Sequence, residues 1–205
     1  MEYASAAVAL TRDHGFPSYA AWALILRGWA LVSMGRNEEG IGLIHQGLRD
    51  HEATGAALGR PSLLGLLADA YGKTGQPEAG QRVLADALSL VANTGERFDE
   101  ATLNRLQGEL MILALPEERV MASAEIAAAQ ACFLRAIGIA QQQEAKSIEL
   151  QAVLSLARLW HSQGDSRTAR QMLARIHGSF TEGIDTVDSC QAKELLQNLP
   201  KATRR

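Results

Sequence analysis

Cysteine is nearly absent from this 205-residue chain. Cys132 and Cys190 are the only two and lie far apart, which excludes a disulfide framework or a cysteine-rich zinc site as the organising device. A basic excess is missing too. The net charge is −3, whereas a dedicated nucleic-acid binder carries a strongly basic face. The one basic concentration, Lys201, Arg204 and Arg205, reads as a solvated tail over 201–205. No apolar run approaches the ~20 residues that cross a bilayer. The opening MEYASAAVAL lacks the basic stretch and small-residue cleavage site of a secretory signal. These absences lead to the expectation of a reduced, cytoplasmic chain that meets neither nucleic acid nor membrane.

The signatures of common chemistries are missing as well. His14, His45, His51, His161 and His177 are scattered, with no HExxH or second ligand at helical spacing, so no metal is expected. There is no GxxxxGK[ST] phosphate loop and no GxSxG nucleophile turn. Cys132, on an apolar helical face, is expected to be a core residue and not a nucleophile. The chain is therefore read as non-enzymatic, with no cofactor.

What the sequence does have is an internal repeat. Between Arg60 and Gly95, apolar residues at Leu64, Leu67, Ala68 and Tyr71 recur at helical spacing up to Gly75. A second set, Val83, Leu84, Ala87, Leu88 and Val91, follows Pro77. Gly75 suits a left-handed helix end, and Pro77 suits a first helical turn, where its missing N–H does no harm. The stretch predicts a helical hairpin. Its punctuation recurs: Gly35 and Gly75 stand 40 residues apart, as do Gly15, Gly55 and Gly95. The small residue inside each first helix follows the same rule through Gly28, Ala68 and Gly108. The step from Gly108 to Ala157 is 49, and the segment LPEERVMAS, Leu115–Ser123, supplies the nine extra residues.

This register predicts an all-α, tetratricopeptide-like α-solenoid of about ten helices in antiparallel pairs, one repeat domain over 1–200. The first helix, about 2–13, is the second half of a hairpin. Pairs follow at 18–34 with 37–53, at 60–75 with 77–95, from about 96 with about 117–143, and at 147–163 with 166–177. A capping helix at 186–199, with Asp185 and Asp188 at its N-terminus, closes the array. Gly28, Gly40 and Gly47 are expected at close helix crossings, whereas Gly42 has no such reason to be glycine.

The small, large and turn positions resemble the tetratricopeptide pattern, in Leu67, Tyr71, Gly75, Leu84 and Ala87 and again in Leu156, Ala157, Trp160, Gly164, Ala169 and Leu173. The departures are Gly80, Ile176 and a period of 40 in place of 34. The runs LILRGWALVSMG, LLADAYGKTGQPEAG, ATLNRLQGEL and AKSIELQAVLSLARLWHSQGDSRTARQML look like the C-terminal helical region of large bacterial regulatory proteins. In those proteins an adenylate/guanylate cyclase or DNA-binding domain precedes a predicted ATPase module. The resemblance implies a regulatory appendage without its relatives' catalysis.

Stacked hairpins present a concave surface made by their first helices. In this register Trp22, Ile25 and Trp29, Ser62, Asp69 and Lys73, Arg105 and Glu109, and Gln151, Arg158 and His161 line it. Trp22, Trp29, Asp69, Lys73, Arg105, Glu109, Arg158 and His161 form the candidate groove. A protein or peptide, or an upstream cyclase or ATPase domain, is the expected partner. The alternative is a ligand- or peptide-sensing domain that controls an attached enzyme. The N-terminal helix, apolar on more than one face through Ala4, Ala6, Ala7, Val8, Ala9 and Leu10, is expected to meet an upstream domain or a second copy.

Overall fold

A computed structural model describes Tyr3, Ala6, Ala7, Leu10 and Thr11, residues 14–116, 124–183 and 185–200. Among these residues there are nine helices and no strand. They are α1 (Pro17–Ser33), α2 (Asn37–Ala53), α3 (Arg60–Lys73), α4 (Pro77–Thr94), α5 (Glu100–Leu113), α6 (Ala124–Gln142), α7 (Lys146–Ser162), α8 (Ser166–His177) and α9 (Val187–Asn198). Tyr3, Ala6, Ala7, Leu10 and Thr11 are also helical. The rest of the expected first helix, including Ala4, Val8 and Ala9, lies outside the described residues, and so do residues 117–123 of the insertion and the basic tail. Among the described residues no helix is long and apolar enough to cross a membrane.

Two compact units make up the chain, Met1–Asp99 and Glu100–Arg205. In the first, α1 and α2 run against each other through glycine. A Cβ on Gly28 would lie 2.5 Å from the Gly40 carbonyl oxygen, and one on Gly47 would lie 2.5 Å from the Ile25 side chain. Only glycine permits that approach. Gly42 faces open space, as its position in the register implied. α3 pairs with α4, and both α1 and α2 contact α3. Ile25, Val32, Ile44, Leu63, Leu67 and Ala70 are buried together, with Trp22, Trp29, Leu66 and Tyr71 packed around them. Each fully buried aliphatic side chain contributes about 1.5–3 kcal/mol. Ile25, expected on the exposed face, is instead fully buried, because the close crossing at Gly47 brings it inside.

In the second unit α5 crosses α6 at Gly108, where a Cβ would lie 2.6 Å from the Phe133 ring. α7 contacts α5, α6 and α8, and α9 packs on α7 and α8. Phe133, Leu150, Leu156, Leu173, Ala192 and Leu199 belong to one buried cluster. Ala157, at the small position, is fully buried.

The turns repeat in chemistry as well as spacing. Arg36 N donates to Leu31 O, Gln76 N to Tyr71 O and Asp165 N to Trp160 O, each at 2.9 Å. The glycines between them, Gly35, Gly75 and Gly164, have φ of 81°, 73° and 88°. This is the six-to-one bond that closes a helix through a left-handed residue.

Two expected boundaries are corrected. α5 begins at Glu100 and not near Glu96, because Glu96 and Asp99 face back to the start of α3. Glu96 Oε1 accepts from Gly59 N at 2.8 Å, and Asp99 accepts from the Ser62 hydroxyl. At α9 the N-cap is Thr186 and not Asp185, with Thr186 Oγ1 accepting from Ser189 N at 3.4 Å. Asp188 instead accepts from Gln151 Nε2 at 2.7 Å.

Candidate functional site

The candidate residues fall into two groups, one in each unit. In the first, Trp29 on α1 and Asp69 on α3 stand 40 residues apart and meet directly: the Trp29 indole N–H donates to Asp69 Oδ2. Lys73, one turn further along α3, donates to the same oxygen, and its ammonium lies 4.2 Å from the Trp29 ring centroid. An aromatic face carries a negative quadrupole that attracts a cation. Aromatic, acid and base thus hold one another in place. Trp29 is a bonded member of this triad. Trp22 is half-buried, edge-on to His51 at 6.4 Å between ring centroids, and its ring fills the space that a side chain on Gly59 would need.

In the second unit Arg105 Nη1 donates to both carboxylate oxygens of Glu109, at 2.7 and 2.8 Å. Ser155 Oγ donates to Glu109 Oε1 at 2.6 Å, which ties α5 to α7. Arg105 is only 17% exposed, and its Nε is buried without a partner. It serves as a structural link more than as a contact surface. Arg158 is exposed, and its Nη2 donates to Gln191 Oε1 on α9 at 2.9 Å. His161 is exposed but turned into the α7–α8 connection, where Nδ1 pairs with Ser166 Oγ at 2.8 Å. The structure does not bring it to Arg158 through any hydrogen bond.

Sequence reasoning missed Ser155, Gln191 and Asp188 as partners of this row. A signal for Asp188 was present. Ser62 with Asp99 and Gln151 with Asp188 are each 37 residues apart, and the two pairs are offset by 89, the same offset as Gly75 to Gly164. The same hydrogen bond therefore recurs at equivalent positions of the two units.

Burial, aided by the nearby Arg49, pushes the His45 pKa below its ordinary value. His45 Nε2 pairs with the Tyr71 hydroxyl at 2.9 Å. Burial also depresses His51, with Arg60 adding to the effect, and His51 Nε2 has no partner. Cys132 is half-buried, where core burial was expected. Its thiol donates to Gln107 Oε1 at 3.5 Å, and burial raises its pKa. That raises the cost of forming the thiolate, the reactive species.

A groove that shares Trp22 and Trp29 with the first group lies in the first unit, beside α1. It measures about 700 Å³ and is lined by side chains such as Tyr3, Ala7, Tyr19, Trp22, Leu26 and Trp29, with no charged one among the described residues. Tyr19 and Leu26 are 69% and 43% exposed. An apolar recess of this kind suits hydrophobic contact. Among the described residues no three histidine, cysteine or acidic side chains are grouped to hold a metal. No protein-family model matches the chain, and no curated protein is significantly similar to it.

Proposed function

We propose that this chain is a non-catalytic helical-repeat module, stacked as a tetratricopeptide-like solenoid, that binds another polypeptide through the concave side of its first helices. The supporting observation is a prebuilt polar group on those helices in each unit. Trp29, Asp69 and Lys73 in one unit, and Glu109 with Ser155 in the other, are already fixed by mutual bonds. Side chains ordered in advance lose less conformational entropy when a partner arrives. Lys73 in the first unit and Arg158 in the second are exposed. Their charges select partner and orientation more than they supply affinity. The likeness of LLADAYGKTGQPEAG and the α7–α8 segment to bacterial cyclase- and ATPase-linked regulators supports a cytoplasmic regulatory role, with such a domain as the partner.

The test begins with a partner recovered by affinity capture, identified and then purified. Lys73→Ala and Arg158→Ala should each weaken its binding in titration calorimetry about 5-fold, as for charged contacts at an interface rim, with unchanged melting temperature. Full affinity in both variants overturns the assignment to this face. A second reading, a small-ligand sensor, draws on the groove beside α1, whose volume falls within the range of ligand sites. A true ligand at a hundred times its dissociation constant would stabilise the protein by about 2.7 kcal/mol in a thermal-shift screen.

A further inference from the structure

The groove beside α1 is a copy, one period earlier, of the seat in which α1 itself lies. Adding 40 to its lining residues gives the surface that α1 covers. Ala7 becomes Gly47, which touches Ile25 and Ala21 of α1. Thr11 and Tyr19 become His51 and Gly59, which meet the Trp22 ring. Ala23 and Ala30 become Leu63 and Ala70, buried with Ile25 and Val32 of α1. Leu26 becomes Leu66, packed against the same cluster, and Trp29 becomes Asp69, the acceptor of the α1 indole. The groove therefore continues an interface that the protein already builds.

From this continuity we infer that the groove binds an amphipathic helix of a partner protein, seated parallel to α1 as α1 is seated beside α3. Its apolar stripe carries aliphatic residues seven apart, like Ile25 and Val32, with a small residue between them, like Gly28. Side chains seven apart lie on one helical face. Among the described residues no charged side chain lines the groove, so the stripe is uncharged and the affinity hydrophobic, as for helices laid into apolar grooves.

The α9 helix of a second copy does not supply this helix. α9 shares the first-helix register: Ala192 and Leu199, both buried, stand 40 residues after Ala152 and Leu159. At the positions where α1 carries Trp22, Ile25, Gly28 and Trp29, however, α9 carries Gln191, Glu194, Gln197 and Asn198, all exposed. Burying such a face in an uncharged groove leaves a carboxylate and three amides without partners, which is strongly unfavourable.

The inference rests on the interaction-module reading but has its own test. A fluorescent peptide of residues 17–33, the helix whose seat the groove copies, is titrated with the full chain and followed by anisotropy. Saturable binding is expected, at least 10-fold weaker for Leu26→Glu and for Tyr19→Glu, two exposed positions. Circular-dichroism melting shows which variant keeps the native fold. A peptide with Ile25→Asp and Val32→Asp should not bind. No binding of the 17–33 peptide, or binding that neither folded variant weakens, overturns the seat while leaving the Lys73 and Arg158 test intact. Sedimentation that shows a dimer broken by Leu26→Glu also overturns it, because the occupant would then be a second copy.

Discussion

Glu144 is the one non-glycine residue with positive φ among those described, at 55°. It stands 49 residues after Gly95, the same step that separates Gly108 from Ala157, so it continues the series Gly15, Gly55 and Gly95. The backbone demand at the end of a second helix persists although the glycine is gone, and Ala145 N still donates to Ala140 O at 2.9 Å. The left-handed region costs a non-glycine residue about 1–2 kcal/mol, part of which is offset by the greater unfolded-state entropy of glycine. Glu144→Gly should therefore raise stability by about 1 kcal/mol in urea denaturation, and a loss would show that the Glu144 side chain stabilises the turn. His45 and His51 set a pH dependence. Both have depressed values in the folded state, so the unfolded chain binds more protons once the pH drops below about 6.5, and stability falls with pH from there. The denaturation midpoint should be level above about pH 7.5 and decline towards pH 5, with a shallower decline in His51→Leu. Arg105 and Arg158, both placed in the candidate groove by the sequence, should differ. Arg105→Ala leaves Glu109 without its partly buried cation and should lower stability by about 1 kcal/mol. Arg158→Ala should not change it measurably.

At the scale of elements, the spans of α2 and α8 agree with the sequence reading, because glycine turns and apolar periodicity act locally there. The start of α5 was not legible. Nothing near Glu96 in the chain shows that Glu96 and Asp99 accept bonds from Gly59 and Ser62, 37 residues earlier. The candidate row was legible as spacing and not as bonding: a period of 40 places Trp29 beside Asp69, but side-chain reach decides that they share a proton donor and acceptor. Ser155 was invisible because its bond to Glu109 crosses the nine-residue insertion, with a separation of 46. The small positions give the sharpest test of the register. Ala157 is fully buried, so Ala157→Leu should cost about 1–3 kcal/mol through overpacking, whereas Gln197→Leu, 40 residues later on an exposed site, should leave the melting temperature nearly unchanged. Equal effects would show that α9 does not share the register.

For the whole molecule, the two units differ in character. The groove of the first is apolar and, among the described residues, uncharged. α9 presents amides and a carboxylate where α1 presents tryptophans and isoleucine, and its own last carbonyls, Leu196 O and Leu199 O, accept from Arg170. The proposed polypeptide contacts lie on the first helices of each unit and in the groove beside α1. Hydrogen exchange of the full chain, with and without its purified partner, tests this most directly. The account predicts added protection in α1, α3, α5 and α7 and little change in α2, α4, α6 and α8. Protection concentrated on the second helices would contradict it.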